Sequence, residues 1–233
     1  MLPDLPLYIN VIFIATVLLT WWLCYRVSKN WALVIISLLW LLMTGILSYR
    51  GFYQDASSTP PKFTFAVIPP LIAITLLFII PSGRKFIDAF DLRSLTIISM
   101  VRIPVELVLY WLSIYKVVPE LMTFAGRNFD ILAGLTAPIA YYTCFKGPKV
   151  SNKTLLLVWN IISLGLLLNI VINAVLSAPF RFQKFAFDQP NIAILYFPFI
   201  WLPCFIVMIV LLSHLASIRK LSKQEITSTP YID

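Results

Sequence analysis

Charge is what this sequence most lacks. Only 12% of its residues are charged, against a hydrophobic share of 60% and a mean hydropathy of +0.90. A soluble domain carries about a quarter charged residues and about half apolar ones, so this chain could not clothe itself in polar surface in water. Histidine is nearly absent as well. With His214 alone there is no HExxH zinc-protease motif and no histidine cluster for a metal hydrolase. The cysteines are few: Cys24, Cys144 and Cys204 lie in or beside apolar runs without CxxC spacing, which argues against a disulfide framework or a zinc-thiolate site. GxSxG, a glycine-rich phosphate loop and an Asp pair in successive apolar segments are missing too. No cofactor is implied, and no enzyme class shows its signature.

A net charge of +8 can point to nucleic acid. Here Lys and Arg cluster in short loops between apolar runs, which is what membrane topology requires, and nucleic acid is not an expected partner. The first apolar run follows Asp4 rather than basic residues and is long enough to span, unlike a cleavable signal peptide.

What is present is a series of long apolar runs. A spanning helix needs about 20 mostly apolar residues. Seven segments qualify: Leu5 to Tyr25, Trp31 to Tyr49, Phe63 to Ile80, Ser94 to Tyr115, Phe129 to Phe145, Thr154 to Leu176 and Asn191 to Ile218. The fifth is short and carries Gly134 and Pro138. The expected fold is therefore an all-α integral membrane bundle of seven transmembrane helices over residues 1–219. Residues 220–233 form a short polar tail.

Basic residues divide unequally between alternate loops, 11 on one side and 6 on the other, with Arg102 inside the fourth segment. The richer side should be cytoplasmic. That puts the N-terminus outside and the C-terminus in the cytoplasm. Compact loops with this bias suit a bacterial inner membrane. The outside loops are the longer ones, and the last, 177–190, interleaves Phe180, Phe182, Phe185 and Phe187 with Arg181, Gln183 and Lys184. Such alternation suits a segment lying in the headgroup layer. No internal repeat of the transporter kind is visible.

The fourth segment is the informative one. Arg102 and Glu106 lie one turn apart, roughly 12 and 18 Å from its cytoplasmic start at about 1.5 Å per residue. Charges at that depth cost at least about 2.5 kcal/mol each and are expected to face the bundle interior. Ser99, Arg102, Glu106, Tyr110 and Ser113 step by three and four, which is one helix face. Glu106 leans back toward Arg102, so the two are expected to pair or to share a partner. Pro104 between them has no N–H, which leaves the Met100 carbonyl without its helical donor.

Other polar groups extend the candidate site. Glu120, Arg127 and Asn128 gather before the fifth segment. Asp130 falls in its first turn, where a negative charge meets the positive end of the helix dipole as a cap, with Asn128 as an alternative cap. Asn169 and Asn173 share a face of the sixth segment, while Asn160 lies about half a turn from Asn169 at about 100° per residue. His214 is expected to be solvated near the cytoplasmic end of the seventh segment. That segment has no lysine, which excludes a retinal-type Schiff base.

The function expected from these residues is binding or transporting a small polar or amphiphilic molecule through an intramembrane cavity. Arg102, Glu106 and Tyr110 would line it, Asn169 and Asn173 would extend it, and the loop holding Glu120, Arg127 and Asp130 would form its mouth. Arg102 would hold an anionic group, and Glu106 would act as counter-ion or proton acceptor. The bilayer and a small-molecule or lipid ligand are the expected partners. Two other classes compete: a non-catalytic membrane subunit whose ion pair is structural and whose partner is another membrane protein, and a lipid-modifying enzyme using Glu106 as general base.

Overall fold

The computed structural model describes residues 2, 4–55, 58–147 and 149–226, the last three as backbone only. Helices dominate. They are α1 (Leu7–Ser28), α2 (Trp31–Tyr49), α3 (Thr64–Ile79), α4 (Pro81–Asp88), α5 (Leu92–Ile98), α6 (Arg102–Ile114), α7 (Ile131–Cys144), α8 (Lys153–Leu176) and α9 (Val207–Ile226). A two-residue hairpin, β1 (Phe145–Lys146) against β2 (Lys149–Val150), joins α7 to α8. The all-α class is as the sequence requires.

Among the described residues, five helices are long and apolar enough to cross a membrane: 7–28, 31–49, 92–114, 153–176 and 202–223. A sixth follows if α3 and α4, which meet at 91°, count as one broken span. At 14 residues α7 is apolar but shorter. On length and composition these helices mark an integral membrane protein.

Local chemistry explains where the helices begin and bend. Asn30, Asp91 and Asn152 each accept a hydrogen bond from the backbone N–H three residues on, capping α2, α5 and α8. Between α5 and α6 the chain tightens into a 3-10 turn, Ser99–Val101. Pro104 has no N–H for the Met100 carbonyl, and a tighter turn re-satisfies the freed groups. Pro203 has the same effect before α9, where Leu202–Ile206 widens into a π-helical turn. The Trp40 and Trp201 indoles tie α2 to this turn, donating to the Cys204 carbonyl at 3.3 Å and the Leu41 carbonyl at 2.9 Å. At the α3–α4 elbow, a Cβ on Gly83 would come within 2.7 Å of the Leu77 carbonyl oxygen, so only glycine fits.

The last helix departs from its expected boundaries. Residues 191–197 are loop and 3-10 turn, and helical structure runs from Leu202 through Ile226. The polar tail expected from 220 is therefore helical as far as Ile226, and 227–233 lie outside the described residues. The shift arises because Pro198 and Pro203 break the apolar run that hydropathy alone joins into one segment.

The 202–223 span is the axis of the bundle, 61% buried, against 28% for α2 and for α8. It packs on α3, α4, α5 and α8, while α1 packs on α2, α5 and α6. On α2, Ile35, Ile36, Leu39 and Ile46 point outward and stay exposed, as they would facing lipid. Elbow helix α4 turns Arg84 and Lys85 outward and buries Ile87. Its end is latched to α9: Arg219 and Lys223 pair with the Asp88 carboxylate, and Lys220 donates to the carbonyls of Asp88 and Phe90.

Candidate functional site

Arg102 begins α6 immediately after the 3-10 turn and is 2% exposed. Its carboxylate partner is Asp130, with Nη1 to Oδ1 at 2.8 Å, rather than Glu106. Nη1 also donates to the Ser163 carbonyl at 3.1 Å, and Nη2 donates to Nε2 of His214 at 2.8 Å. Because a guanidinium only donates, Nε2 must accept. The ring proton therefore sits on Nδ1 and is given to Oδ1 of Asn160 at 2.9 Å. Asn160 completes the chain by donating to the Leu156 carbonyl at 2.8 Å.

Glu106, 1% exposed, is joined to this network through the loop. Its Oε1 accepts from Nδ2 of Asn128 at 2.5 Å. Asn128 also donates to the Met122 carbonyl and accepts from the N–H of Asp130. The loop is thus a plug folded into the bundle, with Asn128 serving Glu106 and Asp130 serving Arg102. It is tight enough that a Cβ on Gly126 would lie 2.4 Å from the Glu120 carbonyl oxygen. The second carboxylate oxygen of Glu106, Oε2, is buried without a partner among the described residues, and so is Nε of Arg102.

A cavity of about 130 Å³ lies between α3, α6, α8 and the start of α9. Its lining is apolar, including Val67, Val105, Leu109, Leu167, Ile170 and Ile206, apart from Arg102, Glu106 and Asp130. Phe63, Phe180 and Phe182 also line it. Phe180 packs on Phe63 with ring centroids 5.6 Å apart, so part of the 177–190 loop covers the bundle rather than only resting at its surface.

Four expectations need correction. Arg102 and Glu106 do not pair; the helix spacing was right, but the loop offers each a partner of its own. His214 is not solvated but 1% exposed, because the helix that carries it begins near Leu202 and leaves it about 18 Å along the axis at about 1.5 Å per residue. Tyr110 is 36% exposed and stacks on Phe124 at 4.9 Å, away from the cavity lining. Asp130 stands at the cap position of α7 but makes no capping bond with its side chain. The remaining candidates sit at the periphery. Glu120 and Arg127 are exposed on the loop. Asn169 donates to the Arg127 carbonyl at 3.0 Å, and Asn173 donates to Asn169. These asparagines fasten α8 to the loop and do not line the cavity.

Sequence reasoning left His214, Ser163 and Asn160 out of the site. A signal was present. Ser213, His214 and Ser217 interrupt an otherwise apolar run, and all three are buried.

The arrangement defines a class: a polytopic helical membrane protein with a buried polar node built by three helices and one inserted loop. Residues 61–222 match the family described as Domain of unknown function (DUF8737), and the chain belongs to that family. The match takes in every member of the node and leaves out α1 and α2. No curated protein and no solved structure matches the chain.

Proposed function

We propose that this protein is a seven-span membrane protein, N-terminus outside, that binds or passes a small amphiphile whose hydrogen-bond-donating end meets Glu106. The observation that carries this reading is the unpartnered Oε2 of Glu106, in a residue that lines an apolar cavity. A buried acceptor left unmade costs about 1–3 kcal/mol, more when charged, and a donor brought by a ligand would recover it. Size narrows the ligand. A dry apolar cavity of about 150 Å³ accommodates benzene, so about 130 Å³ suits a short alkyl or single-ring group. Charge narrows it further. Arg102 is engaged by Asp130, Ser163 and His214 and is poorly placed to hold an anion, so an ammonium or hydroxyl head fits better than a carboxylate.

The engaged Arg102 supports part of the structural-subunit reading. The Arg102–Asp130–His214 group acts as a staple that fixes α6, α7, α8 and α9, and Glu106 beside it is the site. The bacterial inner membrane remains the compartment that the loop charges favour.

The test uses the protein in phosphatidylcholine nanodiscs and three probes of equal chain length: n-hexylammonium, n-hexanol and n-hexanoate. Hexylammonium and hexanol should raise the melting temperature, and hexanoate should not. Glu106→Gln, which keeps an acceptor for Asn128, should erase the preference for hexylammonium over hexanol. Equal responses to all three probes, or a preference surviving in Glu106→Gln, would refute the reading.

A further inference from the structure

At the helix ends opposite the loop plug, a separate cleft of about 570 Å³ opens between α1, α5 and α7. Its polar rim is built from Arg26, Arg93, Ser94 and Asp91, and its deeper lining from Ile97, Met100 and Pro138. From Asp91 to Met100 the helix descends about 13 Å at about 1.5 Å per residue. The cleft is therefore charged at one end and apolar at the other. A neighbouring cavity of about 360 Å³ shares Arg26, Asp91 and Ser94 and adds Lys29.

The arginines are held in place and still have donors to give. The Arg26 guanidinium lies 5.1 Å from the Trp22 ring centroid, and that of Arg93 lies 4.8 Å from the Tyr141 ring while donating to its hydroxyl. Nε of Arg93 is buried without a partner among the described residues. Neither arginine forms an ion pair with a carboxylate among the described residues. The one acid on the rim, Asp91, has Oδ2 taken by the N–H and hydroxyl of Ser94. Three cations thus face one committed carboxylate. Stacking on aromatic rings fixes the guanidinium planes, and a planar fork of this kind recognises phosphate oxygens.

We propose that this cleft binds an anionic phospholipid, its phosphate held by Arg26 and Arg93 and an acyl chain lying along Ile97, Met100 and Pro138. Basic pockets between membrane helices at the headgroup level recognise such lipids. The apolar half of the cleft favours a lipid over free phosphate. The site is independent of Glu106 and of the ligand proposed there.

Native mass spectrometry of the full chain, purified in detergent with equal phosphatidylglycerol and phosphatidylcholine, tests the assignment. Phosphatidylglycerol should be retained preferentially. Arg26→Gln with Arg93→Gln should reduce its retention about tenfold or more. Met100 is 38% exposed, and Met100→Trp fills the chain groove while sparing both arginines; it should lower retention too. This second variant decides the matter should the double variant fail to fold. Excess inorganic phosphate should displace little of the lipid. Equal retention of the two lipids, full retention in Met100→Trp, or complete displacement by inorganic phosphate would overturn the proposal.

Discussion

Arg102 directs both of its terminal nitrogens into the protein, to a carboxylate on a loop, a carbonyl on α8 and an imidazole on α9. Removing one member of a buried pair leaves an uncompensated charge, at a cost of about 3–5 kcal/mol. Asp130→Asn is therefore expected to destabilise the detergent-solubilised protein by that order. Arg102→Met combined with Asp130→Leu should recover part of the loss, the remainder being the orphaned Nε2 of His214. Thermal unfolding of the two variants measures this, and additive losses would show that the residues do not act as a pair. At this scale the sequence disclosed the charged residues but not their pairing. Arg102 and Glu106 stood out because charge is costly in an apolar helix. Nothing local indicates that Asp130, 28 positions away, enters the bundle on a loop. Hydropathy also gave no depth for His214, since the start of its helix depends on prolines that an averaged window smooths over.

Elements were easier to read than their ends and joins. All seven apolar segments contain helix, and the proline-induced disturbance next to Arg102 appears as the 3-10 turn Ser99–Val101. The elbow between α3 and α4 was not foreseen, because its cause is tertiary. Gly83 allows backbone to approach backbone, and the cations on α9 hold the far end. That latch responds to acid. Partial burial pushes the Asp88 carboxyl up, but hydrogen bonds from Lys223 and Arg219, with their charges, hold it below the ordinary value of 3.8. Since the folded value is the lower one, the stabilisation is complete above pH 3.8 and fades as pH falls through the depressed value. A spin label at exposed Ser82 should be immobile at neutral pH, and should loosen in strong acid or, at neutral pH, in Asp88→Asn. Unchanged mobility in Asp88→Asn would show that the latch does not restrain α4.

For the whole molecule, the proposed count and direction of spans rest on combining the seven apolar segments with the loop charges, since five or six helices qualify on length and composition. The 16-residue α3 and the 14-residue α7 are the two that length alone does not qualify. Both lie against other helices, where irregular or short helical backbone is tolerated at membrane depth. Reporter fusions after Ile218 are expected to score cytoplasmic, and fusions within residues 51–61 external. The same side for both would mean that an even number of spans lies between the two points, and the assignment of outside loops would fail. Exposure fits a helical bundle with lipid-facing outer helices. Apolar side chains cover the outer faces of α2 and α8, whereas α9, with 61% of its span buried, has the charged node wrapped around it.

The latch between α9 and Asp88 also sets a timetable for biosynthesis. Every cation that holds α4 is supplied from positions 219–223, more than 130 residues after Asp88 itself. While the ribosome adds those residues, the elbow has been made but nothing fastens it. His214, a member of the node, emerges almost as late. The inner bundle can therefore close only after residue 214 has been added, and until then Nη2 of Arg102 lacks its His214 acceptor even where Asp130 and Ser163 already hold Nη1. A chain stopped short of residue 214 is not a smaller version of this protein but an unclosed one, with Arg102 and Asn160 each short of a partner.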